Sequence, residues 1–334
     1  MPIKRPLNIG VVCGEHSGDR LGAGLINEIK KNSEVNLYGV GGPKLEELGV
    51  NSEFNFSEIN VMGFVQPLMN YRKLKNLRNS LIETFITKKI DLFIGIDSPD
   101  FNMGIHKSLK NFHNNKNIQL VSPSVWGWRQ NRIKAIQANI DLTLCLFNFE
   151  DNYYKKVGHK SMHVGHPFSD LYKEDYQEVV NKYDLNKAKR FISVLPGSRK
   201  SEVKNMLPTF IEFIKAHSIN NKDYFYLLPV ADNELLPLIN QSFQGLDLPI
   251  LIRKNAMKDF LSVSELSIAT SGTATLESAI LECAPVICYK TNFLNYSIIS
   301  RMLKIENIGL PNLLLSKRYY NCLLYTSPSP RDGR

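Results

Sequence analysis

The chain has 334 residues, of which 43% are hydrophobic, and it carries a formal net charge of +9. This length exceeds one hydrophobic core and predicts two domains, while no stretch approaches the roughly 20 apolar residues of a membrane-spanning helix. The positive charge favours anionic partners but does not tell whether they are nucleic acids, nucleotides or acidic lipids.

The five cysteines include no C-x-x-C pair, which indicates buried thiols and speaks against a zinc site. The N-terminus is too short to hold a signal peptide ahead of the first glycine loop, so we expect a cytoplasmic protein.

Short apolar runs alternate with amphipathic segments along most of the chain. Runs of this kind predict buried parallel strands connected by helices, which is an α/β fold. In the first half the predicted strands are LNIGVVC from Leu7, LYGV from Leu37, DLFIGID from Asp91, IQLVS from Ile118 and LTLCL from Leu142. In the second half they are RFISVL from Arg190, YFYLLPV from Tyr224, LPILI from Leu248, LSIAT from Leu266 and APVICYK from Ala284.

A charged, asparagine-rich stretch between residues 168 and 188 separates the two series of strands. We therefore predict two Rossmann-like domains, residues 1–172 and 173–318, that face each other across a cleft. Residues 319–334 lose all periodicity, and we interpret this tail as disordered or as foreign read-through. Ligands of such sheets bind beyond the carboxyl ends of the strands, so the loops there are the candidate sites.

The loop CGEHSGDRLGAG follows the first predicted strand. Gly14 and Gly18 allow close approach of the backbone, and Ser17 or Asp19 is placed to cap the next helix. A tight turn with a helix cap explains the loop as well as a ligand site does.

The loop GIDSPDFN places Asp97 and Asp100 on either side of a proline at a strand end. A general base must be held firmly, and a carboxylate screened from water there becomes more basic. Asp97 leaves the strand directly and is the better candidate for a base. Both residues also suit an ordinary Asx turn.

Two strand-end loops of the second domain have the pattern of anion-binding turns, because helix N-termini bind anions through free amides and an arginine adds a bidentate fork. The residues concerned are Gly197, Ser198 and Arg199 of LPGSRKSEV, and Ser271, Gly272, Thr273 and Glu277 of TSGTATLE. Glu277 lies one helical turn after Thr273 and is placed to accept hydrogen bonds from ribose hydroxyls. Together the loops favour a nucleoside diphosphate, although the first also fits a capped helix with an exposed arginine. The chain has no G-x-x-x-x-G-K-[ST], which speaks against a P-loop NTPase.

Both tryptophans of the chain, Trp126 and Trp128, lie in the turn VSPSVWGWRQNRIKAI, just before Arg129, Arg132 and Lys134. Indole rings favour membrane interfaces and the cations favour phosphate, so this turn suits a glycolipid headgroup. A buried tryptophan pair that braces the cleft, flanked by solvated basic residues, fits equally well.

The segment INVMGFVQPLMNYRKLKNLRNS places Met62, Phe64 and other apolar residues ahead of Arg72, Lys73 and Lys75. Apolar residues followed by cations suit docking on an anionic leaflet. Ordinary burial of a helix with a wet basic face is the alternative.

With these loops identified, the chain resembles the lipid-A-disaccharide synthases, a family of inverting glycosyltransferases of the GT-B architecture. The resemblance covers residues from about 6 to 315. It rests on the segments GEHSGDRLGAGLI, GVGGPKLEELG, VMGFVQPL, GIDSPDFN, SPSVWGWRQNRIKAI, VGHPFSD, LPGSRKSEV, TSGTATLE and LPNLL, which occur in the order of the family.

The resemblance implies transfer of a sugar from UDP-2,3-diacylglucosamine to the 6-hydroxyl of 2,3-diacylglucosamine 1-phosphate, with release of UDP. It implies that Asp97 is the base, that Arg199 neutralises the leaving diphosphate, and that Asn312 of LPNLL lies near the donor loop. The residues assigned to the acceptor and lipid side are Glu15, Ser17, Met62, Phe64, Trp126, Trp128, Arg129 and Arg132.

The resemblance also implies a setting. We expect a peripheral protein on the anionic inner face of the inner membrane of a Gram-negative bacterium, able to form a homodimer. No metal, other cofactor or nucleic acid is expected as a partner.

One departure from the family leaves alternatives open. Relatives continue through several helices after LPNLLLSKR, so we expect the C-terminal helices of the second domain to be missing, and this leaves the activity of the chain in doubt. The alternatives are a UDP-sugar epimerase, an undecaprenyl-linked glycosyltransferase, or an inactive nucleotide-binding truncation. The tryptophan turn and GIDSPDFN argue against the first two.

Overall fold

A computed structural model describes residues 5–59, 70–112, 115–127, 129–230, 232–291, 309–315 and 322–326. The chain divides into two compact units, Met1–Pro167 and Phe168–Arg334. Each unit is built on one parallel β-sheet whose successive strands are connected by helices. The predicted α/β fold is therefore confirmed. Among the helices in the described ranges, none combines the length and apolar character that crossing a bilayer requires.

The first unit contains a seven-stranded sheet in the order β3-β2-β1-β4-β5-β6-β7, with parallel pairing throughout. Its strands are β1 (Leu7–Cys13), β2 (Val35–Val40), β3 (Asn51–Ser52), β4 (Leu92–Ile96), β5 (Lys116–Leu120), β6 (Leu142–Cys145) and β7 (Ser161–His163). All five predicted strands of this half are present, and the two additional strands, β3 and β7, are the edge strands.

Helices cover both faces of this sheet. They are α1 (His16–Asn32), α2 (Pro43–Glu47), α3 (Tyr71–Thr87), α4 (Pro99–Phe112), α5 (Ile133–Asn139) and α6 (Asn148–Lys156), with short 3₁₀ turns at Phe56–Ile59 and Gln130–Arg132. Val11 of β1 packs with Ile26 of α1 on one face, whereas the neighbouring Val12 packs with Phe85 of α3 on the other. Because successive strand residues point to opposite faces, burial of both faces explains why these strands are continuously apolar.

The second unit contains a six-stranded parallel sheet in the order β10-β9-β8-β11-β12-β13. Its strands are β8 (Arg190–Leu195), β9 (Tyr224–Val230), β10 (Ile250–Lys254), β11 (Leu266–Thr270), β12 (Ala284–Thr291) and β13 (Cys322–Thr326). Its helices are α7 (Tyr176–Lys182), α8 (Lys200–Asn220), α9 (Leu236–Phe243), α10 (Met257–Val263), α11 (Thr273–Ile280) and α12 (Leu310–Leu314), with 3₁₀ turns at Pro167–Asp170 and Asn233–Leu235. Strand β13 lies in the tail for which we predicted no regular structure.

Both sheets reverse their strand order at one point. In the first unit the chain adds β2 and β3 on one side of β1 and then β4 on the other. In the second unit it adds β9 and β10 on one side of β8 and then β11 on the other. Parallel sheets bind ligands beyond the carboxyl ends of the two strands that flank such a reversal, and we refer to this place as the crevice of each unit.

Candidate active site

The crevice of the first unit is formed by the loops that follow β1 and β4. A Cβ atom placed on Gly14 would lie 2.5 Å from Oγ of Ser98, and one placed on Gly18 would lie 3.7 Å from Cβ of Asp97. A Cβ this close to another atom forces a shift, so any larger residue at position 14 would displace the Ser98 side chain. Both glycines therefore lie close to side chains of the turn after β4, and the same loop contains half-buried Glu15 and exposed Ser17.

The turn after β4 has an unusual backbone. Asp97 and Ser98 both have left-handed conformations, with φ values of 50° and 39°. For residues other than glycine this conformation costs roughly 1 to 2 kcal/mol each, so neighbouring groups must hold it. The side-chain amides of Asn102 and Gln119 both donate to the carbonyl oxygen of Asp97, at 2.9 and 3.0 Å, and fix the turn through the main chain.

A second buried side chain supports Gln119. The Nε2 atom of His106 lies 3.1 Å from Oε1 of Gln119, and an amide oxygen accepts, so this ring nitrogen donates. Burial lowers the pKa of His106 to about 4, which keeps the ring neutral. We refer to Asn102, Gln119 and His106 as the Asp97 clamp. Sequence reasoning missed it because a strand glutamine and a helical histidine carry no local signal of this pairing.

The prediction that Ser17 or Asp19 caps α1 is wrong. The helix begins at His16, so Ser17 and Asp19 lie inside its first turn and the capping position belongs to Glu15. The carboxylate of Asp19 is buried and instead accepts from the backbone nitrogens of Gly42, Lys44 and Leu45, at 2.9 to 3.0 Å. Asp19 therefore caps α2, where the free amides of a helix start favour a carboxylate, and it links α1 to the GVGGP loop.

Asp100, at the start of α4, faces two arginines of the tryptophan turn. The Nη1 atom of Arg129 lies 3.2 and 3.3 Å from the two carboxylate oxygens, and Nη2 of Arg132 contacts Oδ1. The structure thus brings both predicted arginines to the loop of Asp97. Asp100 is engaged in ion pairs rather than in an isolated Asx turn.

Trp126 is half-buried and is tied to α6. Its indole Nε1 donates to Oε1 of Glu150 at 3.3 Å, and its ring meets Phe149 edge to face at a centroid distance of 4.9 Å. These contacts support the bracing interpretation for Trp126. Trp128, Met62 and Phe64 lie outside the described residues.

Glu150 is a buried carboxyl that sequence reasoning did not single out. It accepts from the backbone nitrogen of Phe147 at 3.2 Å and from Trp126, yet burial outweighs these bonds and raises its pKa from 4.5 to about 7. One signal was available in the sequence. Phe147 is the residue just before α6, and Glu150 follows it by three positions, where capping glutamates are common.

This pKa predicts a pH-dependent stability. A carboxyl whose pKa is raised on folding stabilises the folded state below its unfolded pKa and loses that contribution as pH rises through the folded pKa. From pH 5 to pH 8 the stability of Glu150→Gln relative to wild type should therefore increase by up to about 3 kcal/mol. Both tryptophans belong to the first unit, so urea unfolding followed by tryptophan fluorescence reports on it.

The matched control is Glu28→Gln, which replaces an exposed glutamate of α1. Its unfolding midpoint should follow that of wild type at every pH. Parallel curves for Glu150→Gln and wild type between pH 5 and pH 8 would show that Glu150 does not titrate in this range.

The first anion turn of the second unit is filled by a side chain of the same chain. Gly197 has a φ of 118°, which favours glycine, and the backbone nitrogens of Ser198 and Arg199 donate to Oε2 of Glu202 at 3.0 and 3.3 Å. The guanidinium of Arg199 donates to the other oxygen, Oε1, at 2.7 Å. The predicted donors therefore converge on one anion, and that anion is the Glu202 carboxylate.

The second anion turn lies beside the first, because β11 pairs with β8. Gly272, before α11, leaves open space where a Cβ would stand, and Ser271 and Thr273 on either side are partly or fully exposed. Glu277 is half-buried one turn later in α11. Asn312 is fully buried on α12, which packs against α11. The two loops predicted to bind a diphosphate thus follow the carboxyl ends of neighbouring strands of the second sheet.

The search for metal sites covers the described ranges. Within them no group of three histidine, cysteine, aspartate or glutamate side chains could hold a metal ion.

Comparison with known proteins decides the family. A family model described as lipid-A-disaccharide synthetase matches residues 9–329. The chain belongs to this family.

Curated members of the lipid-A-disaccharide synthetase family align over most of the chain. Lipid-A-disaccharide synthase 2 of Legionella pneumophila is 37% identical over 95% of this chain and 84% of its own length. Lipid-A-disaccharide synthase of Acinetobacter baylyi is 35% identical over 97% of this chain and 85% of its own length. The motifs on which the resemblance rests therefore lie within a continuous match.

Two solved structures of other proteins are similar to this chain in fold. UDP-GlcNAc 2-epimerase of Neisseria meningitidis, determined with UDP-GlcNAc bound, has a TM-score of 0.58, 12% identity, and coverage of 93% of this chain and 90% of its own. A putative UDP-N-acetylglucosamine 2-epimerase of Listeria monocytogenes has a TM-score of 0.55 at 12% identity, with coverage of 93% and 87%. Identities this low show the fold alone, and the two parallel-sheet units are those of a GT-B architecture.

Proposed function

We propose that the chain joins UDP-2,3-diacylglucosamine to 2,3-diacylglucosamine 1-phosphate, forming lipid A disaccharide 1-phosphate and UDP. The observation that carries this proposal is the family match over residues 9–329. Relatives at 35 to 37% identity carry the name of this synthase. The clamped aspartate and the paired anion turns supply groups that suit such a transfer.

Asp97 is the proposed general base. The acceptor 6-hydroxyl oxygen attacks the anomeric carbon of the donor, its proton passes to the Asp97 carboxylate, and the bond from that carbon to the UDP oxygen breaks. A base works best when its position is fixed within hydrogen-bond reach of the hydroxyl. The Asp97 clamp supports this role because it fixes the backbone of Asp97 without involving the carboxylate.

The second unit is the proposed UDP site. Negative charge that develops on the diphosphate is stabilised by Arg199 and by the amides of Gly197, Ser198 and the Ser271–Thr273 turn. Glu277 accepts from the ribose, and Asn312 lies nearby on α12, which packs against α11. Since Glu202 holds the Ser198 and Arg199 donors in the free chain, binding of the diphosphate requires Glu202 to yield them.

The first unit is the proposed acceptor and membrane side. Glu15 and Ser17 belong to the loop whose glycines approach the Asp97 turn, and Arg129 and Arg132 contact Asp100 of that turn. Arg72, Lys73 and Lys75 are exposed at the start of α3, directly after the segment that contains Met62 and Phe64. Cations in this position favour an anionic leaflet, so we propose peripheral attachment to the inner face of the inner membrane, with assembly into a homodimer as a further proposal.

Release of UDP tests the proposed reaction. The protein is incubated with the donor alone, the acceptor alone and both together, and UDP is measured together with the lipid product. Release that requires both substrates supports the transferase. Conversion of the donor without an acceptor would indicate an epimerase, and UDP binding without turnover would indicate a nucleotide-binding protein.

A further inference from the structure

Asp100, Arg129 and Arg132 form an ion-pair cluster in which both guanidinium groups contact the same carboxylate. The side chain of Asp100 is 65% exposed, whereas those of Arg129 and Arg132 are 20% and 32% exposed. The cations are therefore held by the protein, and the anion is the most accessible member of the cluster.

Holding the two arginines together has a cost. Arg129 has a left-handed backbone with a φ of 51°, a conformation that is unfavourable for a side chain of this kind. Burial lowers the pKa of Arg129, and the charge of Arg132 lowers it further. An ion pair with an exposed carboxylate contributes little stability in return. The arrangement thus serves poorly as a structural brace.

A phosphate monoester fits this cluster better than the carboxylate does. At neutral pH it carries a charge between −1.5 and −2, which matches two guanidinium groups, and its oxygens accept the paired donors that arginine presents. A carboxylate carries a single negative charge and only two oxygens. Asp100 also lies three residues after Asp97, in the first turn of the helix that follows β4, which places the cluster at the crevice of the first unit.

We infer that Arg129 and Arg132 bind the phosphate monoester of the acceptor sugar, and that Asp100 occupies this site as an internal counter-ion until the phosphate displaces it. This inference rests on the proposed function for the identity of the sugar. It assigns Asp100 a competing role: the carboxylate holds the two arginines together and lowers their affinity for phosphate.

Calorimetric binding of glucosamine 1-phosphate to the full chain tests the competition. Because Asp100→Asn removes the competing charge, it should lower the Kd about three- to tenfold. Arg132→Ala removes a charge-assisted bond and should raise the Kd about tenfold or more. Lys107→Ala, which removes an exposed cation from the same helix as Asp100, is the matched control and should leave the Kd within twofold.

The overturning results are a Kd unchanged or raised in Asp100→Asn, or a Kd unchanged in Arg132→Ala. Glucosamine without phosphate provides the second arm, because its binding should not respond to either variant. Vesicles containing phosphatidic acid provide a third: if Asp100→Asn strengthened vesicle binding but not glucosamine 1-phosphate binding, the site would belong to a membrane lipid and the inference would be wrong. This binding experiment contains no donor. A failure to release UDP in the reaction experiment would therefore contradict the proposed function and leave the phosphate site untouched.

Discussion

Asp97→Asn lowers kcat by about 10²- to 10⁴-fold, the range that general base catalysis contributes. The amide cannot take the proton of the acceptor hydroxyl. Asparagine tolerates a left-handed backbone, and the Asp97 clamp acts on the carbonyl oxygen of residue 97, so the turn should keep its shape. The measurement is the initial rate of UDP release at saturating concentrations of both substrates.

The control is Asp247→Asn, which makes the same change at an exposed position in the second unit. It should retain wild-type kcat. Thermal unfolding of Asp97→Asn at the wild-type temperature shows that the loss is chemical. A variant at residue 97 with full kcat would remove Asp97 from the mechanism and leave the family assignment intact.

Arg199→Ala lowers kcat/KM for the donor by about 10²- to 10³-fold, as expected for loss of one preorganised group that stabilises developing charge. Arg199→Lys should recover part of the loss, because an ammonium supplies the charge without the planar fork. Steady-state rates at varied donor concentration, together with the Kd for UDP, separate the effect on the transition state from the effect on binding.

Glu202 makes this prediction discriminating. If its carboxylate stayed on Arg199 throughout turnover, the guanidinium would already be neutralised, and Arg199→Ala would change kcat/KM less than twofold. Arg253→Ala removes an exposed arginine of β10 and should have no effect. A large loss at residue 199 with none at residue 253 requires Glu202 to release its partner.

Most of the sheet could be predicted because its strands are buried on both faces. Strands of this kind consist of consecutive apolar residues, and all ten apolar runs identified in the sequence form strands. The edge strands β3 and β7 were missed because they contain two and three residues and are mostly exposed, so no apolar run marks them. Strand β13 was missed because the tail around it has no periodicity.

The positions of the candidate site residues followed from the rule that parallel sheets bind ligands at strand ends, whereas their partners did not follow from the sequence. Asp19 caps a helix that begins 24 residues later, at Pro43. Gln119 of β5 donates to the carbonyl oxygen of Asp97, which follows the neighbouring strand β4. Pairings between distant segments depend on tertiary packing. Glu202 was within reach of sequence reasoning, since its spacing from Arg199 is that of a capping glutamate.

The Asp97 clamp has a kinetic consequence. Its members are buried or screened behind the turn, so the shape of the surface that meets the acceptor is set before any ligand arrives. Association of a small molecule with this crevice should be a single step whose observed rate grows linearly with concentration, free of the plateau that a slow loop rearrangement produces. Inhibitors designed to fit this turn would then gain affinity mainly through a lower dissociation rate constant.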